Sequence, residues 1–450
     1  MSNRKDLTNG SVQSNLVRLT LPMLVGIFSM VAFNLIDTFY VGKLGKDELA
    51  ALSFTFPIIT LIFSLIQGIG MGAVALISKS IGQNNLEKAK RETSDALVLG
   101  LILAVFFSAI GFFTIKPVFS LLGAEGHILE LIEDYMSIWY FTIVFVVIPF
   151  VGNSAIRATG DANTPALIMI FAVVINAILD PLLIFGIGPF PELGLKGAAL
   201  ATSISRAITL FVSLYILFFR EKLIKLDFPP INVLKRSWGA VLYIGLPSGL
   251  SRMLGPIGIA IVTATIAQFG KSSVAAFGVG SRIEFLSMTI LIALAASFGP
   301  FTGQNLGAGK LNRVEDALKK AGAFSLIWSV SMAIILFFAG ETLAGFFCNS
   351  EDIIEKTALY LSIVPIAFGF QGIAQTVNAI LNTIKKPMQA SALILFTMVG
   401  LVVPSVKLGA QYYGLQGIFV ALAFSYFIGG SVAYLLCKKW IAKPGFIQAQ

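Results

Sequence analysis

The sequence predicts an all-α polytopic membrane protein: twelve transmembrane helices in two six-helix bundles, related by a pseudo-two-fold axis along the membrane normal. Three observations carry this reading. The 450-residue chain is 56% hydrophobic and only 12% charged, about half the ionic content of a soluble domain. It contains apolar runs of the roughly 20 residues that a bilayer crossing needs. Its two halves also repeat each other. Composition and patterning exclude a soluble globular enzyme, a disordered chain and a coiled coil. They argue against a β-barrel as well, because alternating strands give only a weak hydropathy signal.

Reading from charge to charge, the spans begin near residues 17, 49, 94, 135, 163, 197, 239, 273, 319, 357, 388 and 415. The N-terminus is polar through Arg18 and has no cleavable signal pattern, so the first span is expected to stay in the protein.

The net charge of +9 resembles a nucleic-acid signature until the basic residues are placed. They fall in short connections between apolar runs. Both termini and the even-numbered connections hold 22 of the 32 Lys and Arg residues, and the odd-numbered connections hold 7. The positive-inside rule then places both termini, and the connection from Lys222 to Arg236, in the cytoplasm. The expected location is a plasma or inner cell membrane, multi-pass. The Lys222–Arg236 connection is the longest polar one and has Pro229-Pro230 at its centre. It reads as a linker, giving an N-terminal bundle over 1–220, a linker over 221–238 and a C-terminal bundle over 239–450.

The repeat supports this division. Leu21-Pro22 recurs as Leu246-Pro247, and Gly45-Lys46 followed by Ala50-Ala51 as Gly270-Lys271 followed by Ala275-Ala276. Gly82-Gln83-Asn84 recurs as Gly303-Gln304-Asn305, and Gly194-Leu195-Lys196-Gly197 as Gly414-Leu415-Gln416-Gly417. Each half holds an even number of spans, so both insert with the same orientation. Their symmetry axis must run along the membrane normal, as in parallel-repeat transporters whose bundles rock about a cavity. No filter-like motif points to a channel.

Enzymatic chemistry finds little support. Cys348 and Cys437 lie far apart and read as spare apolar residues, not a disulfide framework. The single histidine, His127, has no companions that would hold zinc. Serine nucleophile motifs and phosphate-cradling glycine loops are absent. The reading is of a transporter rather than an enzyme, with no cofactor and no nucleic-acid partner. Its partners are the lipid bilayer and small molecules, and it is expected to be a monomer.

The polar groups inside the spans therefore carry the function, since each ionisable one costs several kcal/mol on insertion scales. At 1.5 Å per residue, Asp37 lies about 7–8 Å below the outer end of span one. Asp180 falls in the outer half of span five, and Thr202 lies one to two turns below the same surface in span six. Asn34 and Asp37 are spaced i, i+3, and Asn176 and Asp180 i, i+4, so each pair is expected on one helix face. Two carboxylates, an amide oxygen and a hydroxyl suit a hard cation such as Na⁺, or the carboxylates share a proton. Two bland alternatives remain open: helix-end acids facing headgroups, and neutralisation by Arg206, one turn from Thr202.

Glu284 sits near midplane in span eight. It either binds a cationic substrate or pairs with Arg252 or Arg282, a cross-helix partner fitting better than its i, i+2 neighbour. Met30 and Met169 sit seven residues before Asp37 and Asn176. Flexible thioethers suit a surface that accepts many ligand shapes, although lipid-facing or core positions explain them too. Asn153 in span four is a further candidate for substrate contact. Pro22 removes a helix hydrogen bond and acts as a hinge, or else merely starts the helix. The Gly-Gln-Asn motifs lie at cytoplasmic ends and read as turn and packing devices.

These residues resemble a known family. Gly82-Gln83-Asn84, Gly303-Gln304-Asn305-Leu306-Gly307-Ala308-Gly309, Arg157-Ala158-Thr159-Gly160-Asp161 and Val279-Gly280-Ser281-Arg282-Ile283-Glu284 are similar to motifs of multidrug and toxic compound extrusion (MATE) transporters. The resemblance spans essentially the whole chain and implies a multidrug efflux antiporter. Such a protein exports lipophilic, often cationic, compounds in exchange for Na⁺ or H⁺ by alternating access and confers drug resistance. The first-half acids resemble the DinF-like branch, which implies a coupling role for Asp37 with Asn176, Asp180 and Thr202, and a bend at Pro22. Where the NorM-type branch has an aspartate in span ten, this chain has Gln371, Gln375 and Asn378, which leaves a second-half cation site in doubt. Asn34, Met30, Asn153, Met169 and Glu284 are the expected substrate contacts. A lipid-linked oligosaccharide flippase is the alternative; it should line its cavity with Arg and Lys, whereas the clustered intramembrane charges here are acidic. An intramembrane enzyme would have only the paired aspartates to work with.

Overall fold

The structure, a computed structural model, describes residues 5–227 and 229–441. Every regular element among them is helical. The first half holds α1 (Val12–Gly42), α2 (Lys46–Gly82), α3 (Leu86–Leu121), α4 (Gly126–Phe141), α5 (Val144–Ala158), α6 (Asn163–Phe185) and α7 (Leu195–Tyr215). The second holds α8 (Ile231–Ile266), α9 (Lys271–Gly307), α10 (Leu311–Gly345), α11 (Glu351–Ile363), α12 (Phe368–Thr383), α13 (Pro387–Leu395) and α14 (Val403–Ile441).

Fourteen helices make twelve crossings. The α4–α5 pair, bent by 46°, is one broken span. α11 and α12 join through a 3-10 turn at Val364–Ala367. The last apolar stretch runs 55 residues from Pro387 to Ile441. As one helix it would measure roughly 80 Å, against about 30 Å of hydrocarbon. It breaks at Tyr413 and Gly414, whose φ of 59° and ψ of −142° belong to a region open essentially to glycine alone. Residues 387–412 and 415–441 are thus separate crossings.

Local chemistry sets several helix ends. Asp47 and Glu48 sit in the first turn of α2 and Lys79 in its last, each placed to complement the helix dipole. The Asn85 side chain caps α3 by accepting from the Lys88 amide at 3.0 Å, satisfying one of the orphan donors of the first turn. α1 starts at Val12 rather than near residue 17, so Pro22 lies well inside the helix. It is an interior proline, not a helix-start proline, and the carbonyl of Arg18 loses its usual i+4 donor.

The chain divides into two compact units. One contains Met1–Asp6 and Leu21–Gly249, the other Leu7–Thr20 and Leu250–Gln450. The boundaries thus differ from the 1–220, 221–238 and 239–450 division read from the sequence. In the first unit, the connection before α8 is fastened to α3. The Lys225 amide donates to Ser94 Oγ at 2.8 Å, and the Trp238 indole donates to the Asp95 carbonyl at 2.9 Å. Further along α8, Gly245 and Gly249 lie against α2, where a Cβ on Gly68 would collide with their backbone. Small residues at such a crossing let two helix backbones approach closely.

In the second unit, the segment before α1 is held by the Gly-Gln-Asn turn of α9. The Leu7 amide donates to Gln304 Oε1 at 3.0 Å, and Asn305 Nδ2 donates to the Leu7 carbonyl at 3.1 Å. Lys310 Nζ and Arg313 Nη1 donate to the carbonyls of Thr8 and Gly10, both at 2.9 Å. The second Gly-Gln-Asn motif is therefore a clamp as well as a turn. The motif ending in Asp161 is also structural, since Asp161 caps α6 at Thr164 and pairs with Arg220 at 2.7 Å.

Each unit has its own apolar core, around Ile66, Phe119 and Met136 in one and Tyr360, Phe368 and Phe419 in the other. Phenylalanines such as Phe113 and Phe338 stay exposed, as lipid-facing side chains do. Cys348 and Cys437 are free thiols. The extreme termini, expected in the cytoplasm, fall outside the described residues.

Candidate functional site: a buried oxygen cluster

Within the first unit, Asn176 and Asp180 are hydrogen-bonded to each other, Asp180 and Asp37 act on each other's charge, and Thr202 lies on the helix packed along theirs. Asn176 and Asp180 face inward from α6 and are fully buried, one turn apart, with Asn176 Nδ2 donating to Asp180 Oδ1 at 2.9 Å. Asp37 on α1 is 9% exposed. Thr202 lies on α7, which packs along α6. Each contributes one buried oxygen with no hydrogen-bond partner among the described residues: Asp37 Oδ1, Asn176 Oδ1, Asp180 Oδ2 and Thr202 Oγ1. A buried, unsatisfied oxygen costs about 1–3 kcal/mol, and more for a carboxylate. Other buried oxygens, Asp95 Oδ2 and Thr376 Oγ1 among them, also lack a partner, but these four lie on three helices of one unit. Oxygens of this kind are the ones that a hard monovalent cation accepts, and two close carboxylates are able to share a proton.

Two further groups frame the cluster. Tyr135 on α4, 4% exposed, feels the charges of both Asp37 and Asp180. It was not read from the sequence. Arg206 on α7 interacts electrostatically with Asp37 but makes no ion pair with it among the described residues. Its guanidinium instead lies 4.4 Å from the centre of the Phe33 ring and 3.9 Å from Met169 Sδ. Neutralisation of Asp37 by direct pairing with Arg206 is thus not the arrangement adopted.

The other expected contacts lie elsewhere. Asn34 is exposed and its amide donates to the Met30 carbonyl on its own helix at 2.9 Å. The i, i+3 spacing does not bring it to buried Asp37, because the two positions differ by about 60° around the helix. Met30 is half-buried, and Met169 lies against Arg206. Asn153 is buried and accepts from Ser213 Oγ at 3.0 Å, which ties α5 to α7.

The second unit is built differently. Glu284 on α9 accepts a hydrogen bond from the Tyr360 hydroxyl on α11, and Gln371 also reaches it. The partner across helices is a tyrosine, not Arg252 or Arg282. Tyr360 is the repeat counterpart of Tyr135, since Tyr135-Met136-Ser137-Ile138 recurs as Tyr360-Leu361-Ser362-Ile363. The repeat counterparts of Asp37 and Thr202, at offsets of 225 and 220, are Val262 and Leu422. Both are buried in the apolar core of the second unit. The oxygen cluster is a property of one half only.

A sequence model described as MatE matches residues 22–182 and again 247–408, once in each half. The chain belongs to the MatE family. Two copies of one family unit account for the internal repeat, and membership makes this a multi-pass membrane transporter. The FAD transporter of Shewanella oneidensis is 37% identical over 444 residues, covering 99% of this chain and 98% of that one. The probable multidrug resistance protein YpnP of Bacillus subtilis is 26% identical over 446 residues, covering 98% and 99%. Among solved structures, the Vibrio cholerae MATE transporter VcmN in the bent form matches with a TM-score of 0.92 at 28% identity, covering 97% and 98%. MatE proteins as a family move small molecules across membranes and are not enzymes.

Proposed function

We propose that this MatE transporter is a cation-coupled exporter in which Asp37, Asn176, Asp180 and Thr202 bind the coupling Na⁺ or H⁺. The observation that carries the proposal is that α1, α6 and α7 each present buried oxygens without a hydrogen-bond partner among the described residues, on Asp37, Asn176, Asp180 and Thr202. Cation entry from outside changes the charge of the cluster, alters how α1 packs within its bundle, and drives release of cargo to the outside.

For cargo, the similarity to a FAD transporter across 99% of the chain favours a flavin dinucleotide. Arg252 and Arg282 are exposed within apolar helices and form no ion pair among the described residues, which suits an anionic diphosphate. The second reading is export of lipophilic cations with drug resistance, favoured by the multidrug relatives. Efflux of FAD and of ethidium from the same vesicles, under Na⁺ and pH gradients imposed separately, tests both. Movement of FAD alone supports the first reading and movement of ethidium alone the second. Movement of neither under either gradient refutes coupled export.

A further inference from the structure

Arg206 is a charge beside the oxygen cluster that the proposed mechanism leaves unused. It lies on α7, one turn from Thr202, within an apolar membrane-crossing helix. A guanidinium stays charged in proteins, and inside a membrane such a group normally finds a carboxylate. This one does not. It rests on the Phe33 ring at 4.4 Å and on Met169 Sδ at 3.9 Å, while Asp37 and Arg206 still act on each other's charge. Other charged or polar groups on the helices packed around α7 have partners of their own, as Asp134 on α4 does in pairing with Lys196 at 3.0 Å. Asp180 on α6 and Tyr135 on α4 belong to the cluster, and Arg157 on α5 is engaged by Ser154 Oγ at 2.7 Å and the Phe150 ring at 5.9 Å.

The arrangement has a consequence in charge. Two carboxylates and one guanidinium leave a single net negative charge, and a buried uncompensated charge is strongly disfavoured. One monovalent cation restores neutrality. Without the guanidinium, two would be required. We propose that Arg206 is a fixed counter-charge that limits the cluster to one coupling cation per cycle. Its seat on an aromatic face and a thioether is part of the device. A direct ion pair would occupy the carboxylate oxygens, whereas cation–π contact holds the charge nearby and leaves them free. Arg206 is thus a positioning residue, and its role rests on the reading of Asp37 and Asp180 as the coupling site.

Cation counting on purified full-length protein tests this without any cargo. The amounts measured are ²²Na⁺ retained in alkaline buffer and, in a parallel arm, protons taken up on passing from alkaline to neutral buffer, short of the acid range in which every carboxylate is protonated. Each value is taken as the excess over a D37N/D180N variant, which subtracts all other groups. The expected excess is one cation per wild-type protein, two for Arg206→Gln and one for Arg206→Lys, in whichever arm responds. A structural role alone would not double the count in one variant and restore it in the other. An excess of one in both wild type and R206Q overturns the role of Arg206 while leaving the coupling site standing. So does an excess of two in wild type, a result that holds even if R206Q fails to fold. No excess in either arm removes the coupling site itself, and the inference with it.

Discussion

Replacing Asp37 with Asn is the sharpest perturbation the cluster offers. The amide keeps the carboxylate shape and removes only its charge. Because Asp37 Oδ1 has no hydrogen-bond partner among the described residues, none is lost at that atom, and the variant should reach the membrane at wild-type levels. Its effect should appear in transport energetics. With the membrane potential clamped at zero, a hundredfold gradient of the coupling cation contributes about 2.8 kcal/mol, which corresponds to a cargo concentration ratio of about 100-fold whatever the charge of the cargo. A D37N protein that no longer binds the cation loses that drive, so the ratio should fall towards unity. Inverted membrane vesicles clamped at zero potential, carrying that cation gradient and given FAD or ethidium, report this ratio directly, with an immunoblot confirming protein level. A D37N ratio within twofold of wild type would refute the reasoning, because one of the four donors and half the acidic charge would then be dispensable.

Other perturbations separate the roles of neighbouring groups. Asn176→Ala removes both a donor oxygen and the 2.9 Å hydrogen bond to Asp180, so the cation concentration for half-maximal transport should rise about tenfold, matching roughly 1.5 kcal/mol, in a vesicle titration. Tyr135→Phe deletes a buried hydroxyl within the electrostatic reach of both carboxylates and should shift the same half-maximal concentration by about three- to tenfold without abolishing transport. Tyr360→Phe leaves Glu284 without its donor and should lower unfolding stability by about 1–3 kcal/mol, measured by thermal scanning of purified protein, while cation dependence stays unchanged. Gly68→Leu forces a branched side chain into the α2–α8 crossing and should abolish accumulation of folded protein, seen as loss of the monodisperse peak in detergent.

Much of this architecture was legible because membrane crossings obey simple geometry. Fixed helix rise places Asp37, Asp180 and Thr202 at one depth; that each has a buried oxygen without a partner among the described residues is a separate fact that the sequence does not reveal. Apolar run length gave twelve crossings, although the break at Gly414 needed a backbone conformation that composition does not reveal. Tyr135 was missed because a tyrosine near a span end reads as an interface anchor. Its signal was the recurrence of Tyr-x-Ser-Ile at Tyr360 in the other half. The partner of Glu284 was sought among arginines because opposite charge is the obvious complement to a carboxylate, yet a tyrosine hydroxyl fills the role. The unit boundaries were hidden for another reason. A polar linker marks where the chain is exposed, not which side it packs against, and Trp238, Gly245 and Gly249 bind the start of α8 to the first unit. At the other end, Gln304 and Asn305 draw the start of α1 into the second.

The central claim is that the buried oxygens of Asp37, Asn176, Asp180 and Thr202 take up the cation that drives export. Its most direct test is cation counterflow in proteoliposomes: ²²Na⁺ or proton entry measured as internal FAD or ethidium leaves. The account predicts that cargo exit triggers cation entry in wild type, and that both fluxes disappear together in D37N and in D180N. Cargo exit at the wild-type rate with no cation entry, or undiminished counterflow in both variants, would contradict it.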